Sequence, residues 1–183
     1  MASTNQTIRN FFQAAAAREF SRDFLFRVLA INFNGGAVFN ESELVYVKSA
    51  NLPGRIITNV TAPYMGVPFN LPGTVSYENS DNYQLTFYCD ENSALREKFL
   101  AESRRTFDDA TSTGAYDIPT AGSILTLVQL DKNLDPTTIY NLVGVSVRNV
   151  GGLEYNIAEG TGQPMQFNVS VAYHYSELQA TRR

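Results

Sequence analysis

Few side chains in this 183-residue sequence are suited to covalent or acid–base chemistry, and their surroundings decide what they can do. His174 is the only histidine and Cys89 the only cysteine. A Ser-His-Asp hydrolase needs its imidazole held by a carboxylate and turned toward a nucleophile. His174 instead falls inside an alternating run, Met165–Ser176, on the polar side, with Ala172, Tyr173, Tyr175 and Ser176 around it. The expected reading is a surface or interface histidine. The carboxylate pairs Asp90/Glu91 and Asp108/Asp109 have the composition of acid–base pairs. Both flank a helical pattern, so helix-end electrostatics and loop solvation explain them. A single cysteine can form neither an intramolecular disulfide nor a thiolate zinc site, which fits assembly in a reducing cytoplasm. No Asp/Asn spacing matches an EF-hand, and no glycine-rich stretch matches a phosphate loop. Gly151-Gly152 and Gly160-Thr161-Gly162 lie where turns are expected. Asn59-Val60-Thr61 and Asn168-Val169-Ser170 match the glycosylation sequon, but without a secretion signal they read as chance. The expectation is a chain with no catalytic residue, no metal and no cofactor.

Composition narrows the alternatives. Hydrophobic residues make up 44% and aromatics 12%, enough for a sizeable core in one domain spanning 1–183. The net charge of −4 and a pI near 5.0 argue against binding driven by phosphate neutralisation. Met1–Gln6 is polar and Arg9 interrupts the apolar stretch after it, so no signal peptide is expected. No run approaches the roughly 20 apolar residues that span a bilayer, and the chain reads as soluble with no membrane partner.

The elements follow from periodicity. Residues 1–20 read as a helical extension, with a helix over Ile8–Phe20 carrying Ile8, Phe11 and Phe12 on one face. Asp23–Phe33 is a strand, turned by Asn34-Gly35-Gly36, with a return strand near Leu44–Ala50 after a short piece at Ala37–Phe39. Arg55–Thr61 is rich in β-branched residues. Tyr83–Cys89 alternates cleanly and leads into a helix ending near Thr106, capped by Asn92 or Ser93, with Leu95 and Phe99 buried. Asp108–Ala121 reads as a loop. Ile124–Leu130, Ile139–Val150 and Met165–Ser176 read as the remaining strands. The sum, roughly six or seven strands, is a mainly β fold: an antiparallel β-sandwich or barrel with one packed α-helix, a short N-terminal helix and a protruding loop or hairpin.

That protrusion is bounded by a repeated tetrapeptide. Asn-Leu-Pro-Gly occurs at Asn51–Gly54 and at Asn70–Gly73, and the only charge between the copies is Arg55. Tyr64, Met65, Val67, Phe69 and Leu71 fill the segment. One reading is a loop folded back over the core. The other is an arm over 51–73, hinged at the two tetrapeptides and buried against another molecule.

The ordered set of these pieces resembles a known family. Asp23-Phe24-Leu25-Phe26-Arg27-Val28, then Ser49-Ala50-Asn51-Leu52-Pro53-Gly54, then Tyr83-Gln84-Leu85-Thr86-Phe87, then Asp90-Glu91-Asn92 leading to Arg96, Lys98 and Phe99, and finally Gln166–Tyr175 resemble the tail tube protein of contractile-tailed bacteriophages. The resemblance runs from about Arg18 to Glu177. It implies a structural virion protein and not an enzyme. Hexameric rings would stack into a hollow inner tube, surrounded by a sheath protein, met by baseplate and tail terminator proteins, and associated with a tape-measure protein. DNA would pass through the lumen without sequence-specific binding, and the tube, assembled in the host cytoplasm, would reside in the virion. On this reading Leu52, Pro53, Gly54, Tyr64, Met65, Val67, Phe69 and Leu71 are ring-stacking candidates, and Gln84, Thr86, Gln166, Asn168 and Ser170 are lumen-facing candidates.

The chain departs from the family pattern in having no Trp and in a long tract before Phe20 and a long loop at Asp108–Ala121. A baseplate-proximal or initiator protein of the same fold, or the tube protein of a phage-derived contractile injection system, remains an alternative. A β-sandwich glycan-binding module is a more remote one, since it calls for a concave aromatic cluster.

Overall fold

The structure, a computed structural model, describes residues 21–116, 118–156, 158, 160 and 162–181, together with Ile8, Phe12, Gln13 and Ala15. The expected helix over Ile8–Phe20 otherwise lies outside the described residues; those four are helical.

The strands are β1 (Phe26–Asn32), β2 (Val38–Phe39), β3 (Val47–Ser49), β4 (Arg55–Tyr64), β5 (Val67–Tyr77), β6 (Tyr83–Tyr88), β7 (Ile124–Leu130), β8 (Pro136–Val143), β9 (Ser146–Val150), β10 (Gln166–Ala172) and β11 (Tyr175–Thr181), with helices α1 (Glu41–Leu44) and α2 (Ala94–Thr106). They form a five-stranded sheet in the order β11-β8-β7-β1-β2, a four-stranded sheet in the order β3-β6-β10-β9, and a separate β4-β5 hairpin. All pairings are antiparallel.

Alternation builds the core. Val28, Ile31, Leu125, Leu127 and Leu142 from the five-stranded sheet meet Tyr83, Leu85, Phe87, Phe167, Val169 and Val171 from the four-stranded one. Helix α2 adds Leu95 and Phe99, as their spacing predicts, and Phe99 lies 4.3 Å from the Phe39 ring and 5.2 Å from Phe87 between centroids. Ser93 occupies the N-cap position without a capping side-chain bond. The cap comes from Asp90, whose carboxylate accepts from the backbone N–H of Ala94 at 3.0 Å and of Leu95 at 3.3 Å. That structural use accounts for one carboxylate of the Asp90/Glu91 pair.

Two expected strands are each divided at a corner. Ile139–Val150 breaks at Gly144 (φ 74), where β8 leaves one sheet and β9 joins the other. The N–H groups of Gly144 and Val145 both donate to the Ser123 carbonyl, at 2.9 and 3.1 Å. Met165–Ser176 breaks at Tyr173-His174, where β10 gives way to β11. The two corners adjoin: the His174 N–H donates to the Val143 carbonyl at 2.9 Å, and a Cβ on Gly144 would strike the His174 ring. Period-two alternation runs straight through such corners, so sequence pattern cannot see them. The expected return strand Leu44–Ala50 is also divided. Its start completes helix α1, boxed by Asn40 and Glu43, and its remainder, β3, pairs with β6.

Candidate functional site

The β4-β5 hairpin is the feature that the rest of the fold does not explain. Among the described residues its strands pair only with each other, and nearly every residue of both is exposed. From Ile56 to Ser76 the sequence carries no charge. Register sorts its side chains. The pairs Val60–Leu71, Ala62–Phe69 and Tyr64–Val67 share one face, because directly opposed residues point the same way. Asn59–Pro72, Thr61–Asn70 and Pro63–Pro68 share the other, where the Thr61 hydroxyl donates to Asn70 Oδ1 at 3.1 Å. From the Val60–Leu71 pair to the tip, one face is therefore apolar and the opposite one is polar or proline; nearer the root the pattern mixes, with Ile57–Val75 on the second face and Ile56–Ser76 on the first. The hairpin turns at Met65 (φ 48) and Gly66 (φ 82), the two positive angles of a two-residue turn matched to strand twist. Met65, at the tip, is 87% exposed.

This geometry corrects the hinge assignment of the second tetrapeptide. Asn70–Gly73 does not return an arm to the body; it lies within β5, and the hairpin runs from Arg55 to Tyr77. Prolines are tolerated because each strand of a two-stranded ribbon has an outward edge that needs no N–H donor. Gly73 serves a bulge: β5 carries one residue more than β4 between the Ile57–Val75 and Asn59–Pro72 pairs. A Cβ on Gly73 would lie 2.6 Å from the Thr58 carbonyl oxygen. The first tetrapeptide does stand at the root. Leu52 and Pro53 line a hollow of about 300 Å³ with Asn51, Glu78, Asn79 and Tyr83, and the Glu78 N–H donates to the Gly54 carbonyl at 3.0 Å.

Of the stacking candidates, Tyr64, Val67, Phe69 and Leu71 thus gather on one face, Met65 marks the tip, and Leu52, Pro53 and Gly54 form the root. Ile56, Ile57, Val60 and Val75 are equally part of the exposed apolar surface and were missed. Val60 was findable, since it alternates with Ala62 and Tyr64; Ile57 and Val75 lie below the bulge, which sequence does not announce.

The lumen candidates sit together on the outer face of the four-stranded sheet, where Asn168 opposes Thr86, Ser170 opposes Gln84, and Gln166 opposes Tyr88. Gln84, Gln166 and Asn168 are exposed and Thr86 is half-buried. Ser170, at 6% exposure, is buried, so in the single chain it does not line this surface. Lys48 joins the patch: its Nζ donates to Gln166 Oε1 at 2.8 Å and stands 5.9 Å from the Tyr88 ring centroid.

The groups with suspected chemistry are spread apart. His174 is exposed at its corner. Asp108 accepts from the Ala110 N–H at 2.9 Å, and that backbone bond, with help from Thr111, holds its carboxyl below the usual range. Among the described residues, no three His, Cys, Asp or Glu side chains are grouped to hold a metal ion. Glu102 of α2, the one deeply buried carboxylate among the described residues, accepts from the Ala37 N–H at 2.9 Å and from Arg105 Nη2 at 2.6 Å, tying the β1-β2 turn to the helix. Its hydrogen bond raises the Arg105 guanidinium further above its ordinary value. Burial pushes the phenols of Tyr83 and Tyr173 up, that of Tyr173 to about 12.

No family model matches this chain, and no curated protein sequence does. Solved structures do match. A chain of the anti-feeding prophage (AFP) baseplate, six-fold symmetrised, is similar with TM-score 0.63 and 14% identity, over 88% of this chain and 97% of that one. A chain of the AFP tube-terminating cap gives TM-score 0.58 and 8% identity over 99% and 100%. A chain of the sheath-tube complex of PVC, an extracellular contractile injection system, gives 0.54 and 10% over 92% and 97%. The fold of this chain is therefore the β-rich fold found in chains of contractile injection particles.

Proposed function

We propose that this chain is a structural subunit of a contractile tail or injection system and that its copies assemble into an inner tube. The observation that carries the reading is the exposed β4-β5 arm, uncharged from Ile56 to Ser76 and apolar on one face from Val60–Leu71 to its tip. A two-stranded ribbon is marginal in water by itself, and an apolar face of this extent on a surface marks a contact. The fold is supporting context, since similar chains occur in a baseplate, a terminating cap and a sheath-tube complex. Copies join side by side into hexameric rings, closing edges that β3, β9, β2 and β11 leave unpaired among the described residues. The arm of one ring grips the next. That contact is head to tail, so it propagates into an open filament. The polar face bearing Gln84, Thr86, Gln166 and Asn168 lines the lumen, through which DNA or another cargo slides with little binding. Sheath, baseplate, terminator and tape-measure proteins are the expected partners, and the particle is the expected location. The role is mechanical and not catalytic.

Electron microscopy of concentrated protein tests this. Rings or tubes are expected, and deleting Ala62–Leu71 leaves folded subunits that stack poorly. A strictly monomeric protein at high concentration overturns the reading. The similarity to the AFP baseplate chain favours a second reading, a baseplate-proximal tube protein. Copy number per particle separates the two, because a main tube protein is far more abundant.

A further inference from the structure

Two backbone carbonyls mark where the arm leaves and rejoins the body. They belong to Asn51, ahead of β4, and Glu78, which directly follows β5. Each accepts a hydrogen bond from a different buried tyrosine: Tyr83 donates to the Asn51 carbonyl, and Tyr173 donates to that of Glu78 at 2.9 Å. The two rings meet edge to face, with centroids 5.9 Å apart and planes at 88°. Tyr77, the last residue of the arm, sets its ring against Tyr173 at 6.3 Å. The backbone closes the arrangement, since the Tyr173 N–H donates to the Ser80 carbonyl at 2.8 Å and the Glu78 N–H to that of Gly54 at 3.0 Å.

Tyr83 begins β6 and Tyr173 follows β10, neighbouring strands of the four-stranded sheet. Both rings belong to the core, so their hydroxyls are fixed points. Phenylalanine would fill nearly the same volume; what tyrosine adds is a donor at the end of a rigid ring, and both donors are aimed at the legs of the arm. A ribbon paired only with itself and joined by two peptide legs can swing, and docking must then freeze that freedom. We propose that Tyr83 and Tyr173 are positioning residues that clamp the arm at its root and hold it in the direction in which it docks on a second copy of this chain. This rests on reading the arm as a contact between copies.

The test uses the full-length chain and the variants Tyr83→Phe, Tyr173→Phe and their combination, with Tyr77→Phe as a control that keeps its ring contact. Arm direction is read by electron–electron resonance in dilute, unassembled protein. Spin labels are placed at Met65→Cys on the tip and Ala94→Cys on α2, in a Cys89→Ser background. Assembly rate is read by light scattering on unlabelled protein. The clamp predicts a tip-to-body distance distribution about twofold broader in the double variant, assembly slowed about tenfold at equal concentration, and tubes of unchanged shape. The control matches wild type in both readings. A folded double variant with an unchanged distribution overturns the proposal, and so does a broadened distribution with an unchanged assembly rate. If the double variant does not fold, each single variant is held to the same two criteria at smaller amplitude. Failure of the wild type itself to assemble overturns the assembly reading and the docking role built on it, while the distance distribution still decides whether the phenols hold the arm.

Discussion

Replacing Phe69 with aspartate places a charge in the middle of the arm's apolar face while touching nothing in the core. Phe69 is 52% exposed, so docking buries about half of its side chain. Full burial of such a residue contributes about 1.5–3 kcal/mol, which leaves about 0.8–1.5 kcal/mol for the uncovered half. Val60, Tyr64, Val67 and Leu71 are exposed to a similar or greater degree, giving about 5 kcal/mol of gross apolar stabilisation per arm. Phe69→Asp removes its share and buries an unpaired carboxylate, at a further cost of several kcal/mol. A combined loss above about 3 kcal/mol weakens each arm contact by more than roughly 100-fold. The isolated subunit, whose arm already faces water, changes by no more than about 0.5 kcal/mol. Sedimentation velocity reads the first effect and chemical denaturation of dilute protein the second. Assembly of Phe69→Asp at wild-type concentrations would refute the reasoning, and so would a large loss of stability in the monomer, which would mean that the arm packs on its own body.

Three further outcomes follow from the same geometry. Met65 holds a positive φ that asparagine adopts more readily, so Met65→Asn steadies the turn by about 0.5–1 kcal/mol and slows amide exchange in the arm, whereas Gly66→Val speeds it. Glu102→Ala strands the Ala37 N–H and Arg105 and lowers stability by about 2–3 kcal/mol in urea unfolding, with α2 and the β1-β2 turn loosened together. For the buried phenols the linkage has a definite sign. Their folded values lie above the ordinary tyrosine value of 10, so the stability they contribute is complete below pH 10 and is lost as pH rises toward about 12, where Tyr173 ionises. Stability followed against alkaline pH, with absorbance reporting phenolate, should fall in that window in the wild type and less in Tyr173→Phe.

Much of the fold was readable because it rests on period-two alternation and one amphipathic helix. Tyr83, Leu85 and Phe87 fall on the core side as their spacing predicts, and Leu95 and Phe99 do the same on α2. The sheet-switching corners were not readable. At Gly144 and at Tyr173-His174 the alternation continues while the chain changes partners, so two apparent strands are in fact four. The exposed apolar segment was recognisable from Tyr64, Val67, Phe69 and Leu71. A protruding loop or hairpin was expected there; its extent was not readable, because the ribbon runs on through Pro72 and Gly73 to Tyr77, which a strand with a free edge can hold. The roles of Tyr83 and Tyr173 depend on carbonyls far along the chain, at Asn51 and Glu78, and no local pattern reports such a pairing.

In the proposed assembly the β4-β5 arm joins copies of this chain end to end. The most direct measurement is the particle mass at rising protein concentration, for the wild type and for the Ala62–Leu71 deletion side by side. The wild-type mass is expected to keep growing with concentration, and the folded deletion variant to stop at a single ring or below. Equal growth of both, or a wild type fixed at the mass of one chain, would contradict it.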